Sequence, residues 1–180
     1  MSDNYITPNK QDLDKVVVPE NTEFYEEMDL ILHLAKKYPD NIWLELNFPT
    51  LKSKIDEFEN KNNIKLTDEL RALYMFADGF YVSSGNLDIL ELDQVEKSLD
   101  TEWEWGDTKH YVLLGDMIGD GEEIFLDLDS GKIISYNHGE EEEFDSIAAL
   151  LSDIIFTFID GEVEDEKLSE YLGDWEESIT

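Results

Sequence analysis

Residues 110–137, HYVLLGDMIGDGEEIFLDLDSGKIISYN, decide the fold. Three short runs within them, HYVLLG, EEIFLDL and KIISYN, carry the β-branched and aromatic residues that suit a pleated, half-buried surface. Between the runs stand Gly119 to Gly121 and Ser130-Gly131, the residue types that close tight hairpin turns. Connections this short leave no room for the crossover helix that a parallel pair needs, so the three runs read as an antiparallel meander. Just upstream, FYV and LDIL flank the turn SSGN, and polar and apolar residues alternate there as well.

Further from this centre the apolar period becomes helical. Phe24, Met28, Ile31, Leu32 and Ala35 share one face of a helix that starts at a cap on Asn21 or Thr22 and runs to about Tyr38, ahead of Pro39. After NIWLELNFP, Leu51, Ile55 and Phe58 repeat at helical spacing behind a cap at Thr50, with Asn62 and Asn63 at the exit. A third helix starts at Thr67. Asp68 and Glu69 suit its positive N-terminal end, Leu70, Leu73 and Tyr74 form its apolar face, and Gly79 follows its end. Downstream of the meander, FDSIAALLSDIIFTFI is too apolar for a lone surface helix and should pack on the sheet. Leu168, Tyr171 and Leu172 point to one more short helix, whereas ELDQVEKSLDTEWEWGDTK shows no clear period.

Residues 1–20 lack periodicity and contain Pro8 and Pro19, which predicts an extended or flexible N-terminal extension. The rest, residues 21–180, reads as a single α+β domain: N-terminal helices, a central antiparallel sheet, then a C-terminal helix packed on it. There is no internal repeat and no second core. A chain of 180 residues, 41% of them hydrophobic, is the right size for one such domain.

Charge narrows the function. With 45 acidic and 13 basic residues the formal charge is −32, so nucleic acid and anionic membranes repel the chain. Its 12% aromatics and several apolar runs place that acidity on a folded body. Such a surface steers association toward a basic partner, or serves as a solubility coat. The absence of cysteine removes disulfides, thiolate metal sites and a cysteine nucleophile. No run approaches the roughly 20 apolar residues of a membrane span, and the N-terminus lacks a signal-peptide pattern, so a cytoplasmic protein is expected.

The candidate chemistry is sparse. On the calcium-loop pattern Asp116, Asp120, Gly121 and Asp127 fall at positions one, five, six and twelve, but Ile118 holds position three and offers no side-chain oxygen. A glycosidase-like acid pair carries no signal in so acidic a chain. His33, His110 and His138 stand far apart, without metal-ligand spacing, and GxSxG, GxxxxGK and GxGxxG are all missing. Neither catalytic residues nor a cofactor or metal is expected. Trp103 and Trp105, in TEWEWGD, read as an edge-strand pattern or as an aromatic binding anchor. The run Glu140 to Glu143 reads as a solvated face, yet its mutual repulsion is a cost that a positive partner would relieve.

A resemblance sharpens this. In LKSKIDEFENKNNIKLTDELRALYMFADGF, Ile55, Phe58, Glu59, Ile64 and Leu66 resemble the entry segment of the SUKH superfamily, with Asp78-Gly79 in place of the usual Asn-Gly and Thr67 in place of the usual proline. Gly115, Asp120, Gly121, Asp127 and Gly131 are similar to the punctuation of its central sheet, and FDSIAALLSDII to its closing helix, so that the resemblance spans roughly residues 42 to 160. That superfamily includes fungal cell-wall synthesis regulators and bacterial toxin-immunity proteins. It implies a protein-binding α+β domain with no catalytic residues, and in bacterial members the neutralisation of a toxin, often a nuclease. A nuclease that holds polyanions presents a basic cleft, which matches the charge argument. The expected contact residues are Glu140, Glu141, Glu142, Glu143, Asp116, Asp120, Glu122 and Glu123, with Trp103 or Trp105 as anchor. The alternatives are a regulatory scaffold of the cell-wall synthesis type and a calcium-binding module.

Overall fold

The computed structural model describes residues 9–101, 110–117 and 121–179, with the backbone alone for 175–179. In chain order the elements are α1 (Tyr25–Lys37), β1 (Leu44–Leu46), α2 (Lys52–Asn62), α3 (Asp68–Phe76), β2 (Phe80–Val82), β3 (Leu87–Ile89), α4 (Leu92–Ser98), β4 (Tyr111–Met117), β5 (Glu122–Asp127), β6 (Ile133–Asn137), β7 (Glu140–Phe144), α5 (Ile147–Ile154) and α6 (Glu166–Ile179). A single π turn, Ile155–Ile159, extends α5. The seven strands form one antiparallel sheet in sequential order, β1 to β7. The architecture is α+β, as the alternation predicts, and the meander is longer than the three runs that announce it.

The pleat explains the core. Leu44, Leu46, Phe80, Val82, Leu87 and Ile89 alternate with Glu45, Tyr81 and Asp88, and only the apolar set is buried with the helices in one hydrophobic cluster. Val112, Leu114, Ile124, Leu126, Ile133 and Phe144 continue that inner face toward β7. The strongly apolar α5 lies against it, burying Ile147, Leu150, Leu151 and Ile154.

Helix ends are fixed by long-range acceptors as well as by local caps. Thr67 caps α3 by accepting from the Leu70 amide at 3.2 Å. Arg71 pairs with both Asp56 and Glu59, tying α3 to α2. Glu69 is buried and accepts from the Ile147 and Ala148 amides at 2.8 and 2.9 Å, so an acid of α3 closes the first turn of α5 beside its own cap, Ser146. The Asp165 side chain, 1% exposed, accepts from Lys37 Nζ at 2.6 Å, from Tyr38 Oη at 3.1 Å and from the Lys167 amide at 2.9 Å, which docks α6 on α1.

Several boundaries differ from the sequence reading. Thr22 does not cap α1: its hydroxyl donates to the Pro19 carbonyl, and the helix starts at Tyr25. Thr50 is buried, its amide bonded to the Tyr74 carbonyl, and Leu51 is the N-cap of α2, without a side-chain bond. α4 emerges from the aperiodic segment behind a capping box between Glu91 and Gln94. The described part of the N-terminal extension is laid along β1: Gln11 donates to the Leu46 carbonyl, Lys10 bridges to Asn47, and Val18 is buried.

Candidate functional site

The opposite face of the sheet carries the unusual chemistry. Cross-strand register places Glu45 opposite Tyr81, Tyr81 opposite Asp88, Asp88 opposite Asp116, Asp116 opposite Glu123, Glu123 opposite Tyr136 and Tyr136 opposite Glu141. Seven strands therefore contribute one residue each to a single row, and five of the seven are acids. At about 4.8 Å between strands the row runs roughly 29 Å across the sheet.

A bulge puts Asp116 in that row. The β4–β5 register shifts between Leu113 and Gly115, so Leu114 and Gly115 both fall on the helix side and Asp116 turns outward. Only glycine fits there: a Cβ on residue 115 would meet the Asp88 carbonyl oxygen at 2.1 Å. Without the extra residue, Asp116 would point into the helix-covered face and Met117 out of it.

Asp88, Asp116 and Glu123 are half-buried neighbours, and none has a hydrogen bond or ion pair among the described residues. Burial, then the Asp116 charge, pushes the Asp88 carboxyl above the usual aspartate value. Burial raises Asp116, and burial together with Asp116 raises Glu123. Glu45, at the β1 end, behaves differently. Against the cost of burial, hydrogen bonds from Lys10 and Trp43 hold it below the ordinary glutamate value, with Lys10 Nζ at 3.0 Å and Trp43 Nε1 at 3.1 Å. Trp43 is 57% exposed. An exposed tryptophan thus sits beside one end of a carboxylate row, the composition that anchors protein interfaces. Two residues along β5 and β6 from Glu123 and Tyr136 the same face is buried, over Phe125 and Ile134, while the row from Glu45 to Tyr136 stays partly exposed.

The acids predicted from sequence divide between the two faces. Asp116 and Glu123 are adjacent in the row; Glu141 lies at its far end, and Glu143, on the same face, pairs with Lys132 at 2.8 Å. Glu122, Glu140 and Glu142 point to the helix side, where Glu122 bonds the Ser135 hydroxyl. There burial, then Asp153 and Glu122, raises Glu142. The Glu140–Glu143 run is thus an edge strand with alternating directions and not one negative surface. Asp120, Trp103 and Trp105 lie outside the described residues. Sequence reasoning missed Glu45, Asp88, Tyr81 and Trp43; the alternation in LEL and LDI is the signal that marks Glu45 and Asp88 as outward acids.

The calcium-loop reading does not survive the register. Asp116 faces Glu123, whereas Asp127 lies four residues further along β5, roughly 13 Å away and too far to share one ion. Asp127 is occupied in its own turn, accepting from the Asp129 amide and the Ser130 hydroxyl. Among the described residues no group of three or more histidines or carboxylates is arranged to hold a metal. His33 and His110 are paired separately, with Asp165 and Asp129. No described helix is long and apolar enough to cross a membrane.

With the sheet and its row in place, comparison with known families is decisive. The model of the SMI1 / KNR4 family (SUKH-1) matches residues 49–156, more than half of the chain. The protein belongs to this family. Membership supports an immunity- or regulator-type role exercised through other proteins. No curated protein matches the sequence. The SUKH-1 match contains Asp88, Asp116 and Glu123, while Trp43 and Glu45 precede it on β1.

Proposed function

We propose that this SUKH-1 protein is a non-catalytic immunity protein that neutralises a basic toxin domain, of the nuclease class, by docking it on the acidic face of the sheet. The observation that carries the reading is the contiguous trio Asp88, Asp116 and Glu123, charged, half-buried and without a donor among the described residues. Like charges directly opposite one another in a sheet destabilise it, so the fold keeps a repulsion that a cationic partner removes. A nuclease cleft built for phosphates supplies such cations, and the carboxylate row competes with its substrate for them. Trp43 adds an apolar anchor at the exposed margin.

The test is recovery of partners from cells of the source at low and at high salt, with wild type and with the triple variant Asp88→Asn, Asp116→Asn, Glu123→Gln. Wild type should retain a basic toxin domain at low salt and release it at high salt, and the variant should fail to retain it. Retention that ignores salt and the three substitutions, or recovery of cellular synthesis enzymes instead, contradicts the proposal.

A further inference from the structure

We infer that the element of the partner received by this face is an α-helix with cationic side chains along one stripe, lying across the strands. The inference rests on the reading of the face as a docking surface and adds the shape of what docks there. Two independent features of the sheet carry it.

The first is hydrogen bonding. Asp88, Asp116 and Glu123 belong to β3, β4 and β5, each flanked by a strand on both sides. Their backbone groups are already paired, so an extended segment arriving on this face finds no edge to join. Its own amides and carbonyls would be desolvated without partners. A helix satisfies its backbone internally and needs to offer only side chains.

The second is spacing. From Asp88 to Glu123 the row crosses two interstrand gaps, about 10 Å. Residues i, i+4 and i+7 on one helix face also span about 10 Å, so three cations meet three carboxylates in step. Three same-face residues of an extended segment span about 13 Å and fall out of step. Along the helix axis the next cation, toward β1, reaches Tyr81 and the exposed edge of Trp43, where an arginine finds a ring to stack on; Glu45 beside them is already paired with Lys10.

The probe is a pair of labelled synthetic peptides of equal length and charge on an alanine and glutamine background. One carries arginines at i, i+4, i+7 and i+11; the other carries the same residues with two central alanines replaced by proline, which abolishes the helix. Binding is measured by fluorescence anisotropy at low salt against the full-length protein and its triple variant. The helical peptide should bind at least tenfold more tightly than its proline counterpart, and the triple variant should remove that difference. Equal affinity for the two peptides, lost together in the triple variant, overturns the helix and leaves the acidic face standing. Binding of either peptide that the triple variant does not weaken overturns the acidic face itself.

Discussion

Asp116 shows how one side chain can serve binding at the expense of stability. It faces an acid on each side across the sheet, and no described donor relieves it. Replacing it with asparagine keeps the shape and removes two repulsions, so Asp116→Asn should stabilise the fold by about 0.2–1 kcal/mol in urea unfolding. The pH dependence follows from the directions of the shifts. Asp88, Asp116, Glu123, Glu142 and Glu69 are raised, so they bind protons more readily folded than unfolded, and their contribution to stability is lost as pH rises through the raised values. Asp165, Asp56, Glu96, Asp127, Glu45 and Asp12 are lowered by their hydrogen-bond partners, and their contribution is lost as pH falls below the ordinary carboxylate value. Thermal melts at low ionic strength should therefore peak just above the usual carboxylate range, roughly pH 4–5, and decline toward neutrality. A midpoint that climbs steadily from pH 5 to pH 7 would contradict these assignments.

At the scale of the element, Glu69 and Gly115 hold positions that no local pattern reveals. Glu69 reads as an ordinary first-turn acid of α3, yet its carboxylate closes α5 from 78 residues away. Glu69→Ala leaves the buried Ile147 amide and the partly buried Ala148 amide of α5 without an acceptor and should cost about 1–3 kcal/mol, with loss of amide-exchange protection concentrated in α5. Gly115→Ala drives a methyl into the Asp88 carbonyl oxygen and should cost about 1–3 kcal/mol while opening the β3–β4 ladder. The strands of His110–Asn137 and the helices α1, α2, α3 and α5 were legible because each repeats an apolar period of its own. β7 was not: four glutamates are poor strand formers, and only pairing with Ile133–Asn137 makes them one. α4 was hidden because Glu91, an uncommon cap, stands where serine or aspartate would announce a helix. The acidic row was legible in part, through Asp116, Glu123 and Glu141. Its completion by Asp88 and Glu45 depends on strand pairing between distant segments, and the outward turn of Asp116 depends on a bulge that periodicity does not reveal.

At the scale of the whole molecule, five of the 45 acidic residues are gathered into one row across the sheet. One face of the sheet takes the helices and the apolar core; the other carries a line of carboxylates with Trp43 at its exposed end. The SUKH-1 match covers the strands that hold the central trio, and membership points to work done on other proteins. The central claim is that this trio is kept for binding against the preference of the fold, and one paired measurement tests it most directly. The triple variant Asp88→Asn, Asp116→Asn, Glu123→Gln is compared with wild type for urea stability and for affinity toward the recovered basic partner in low-salt buffer. The account predicts opposite signs, a more stable protein that binds at least tenfold more weakly. A variant that is less stable, or that binds as tightly as wild type, would contradict it.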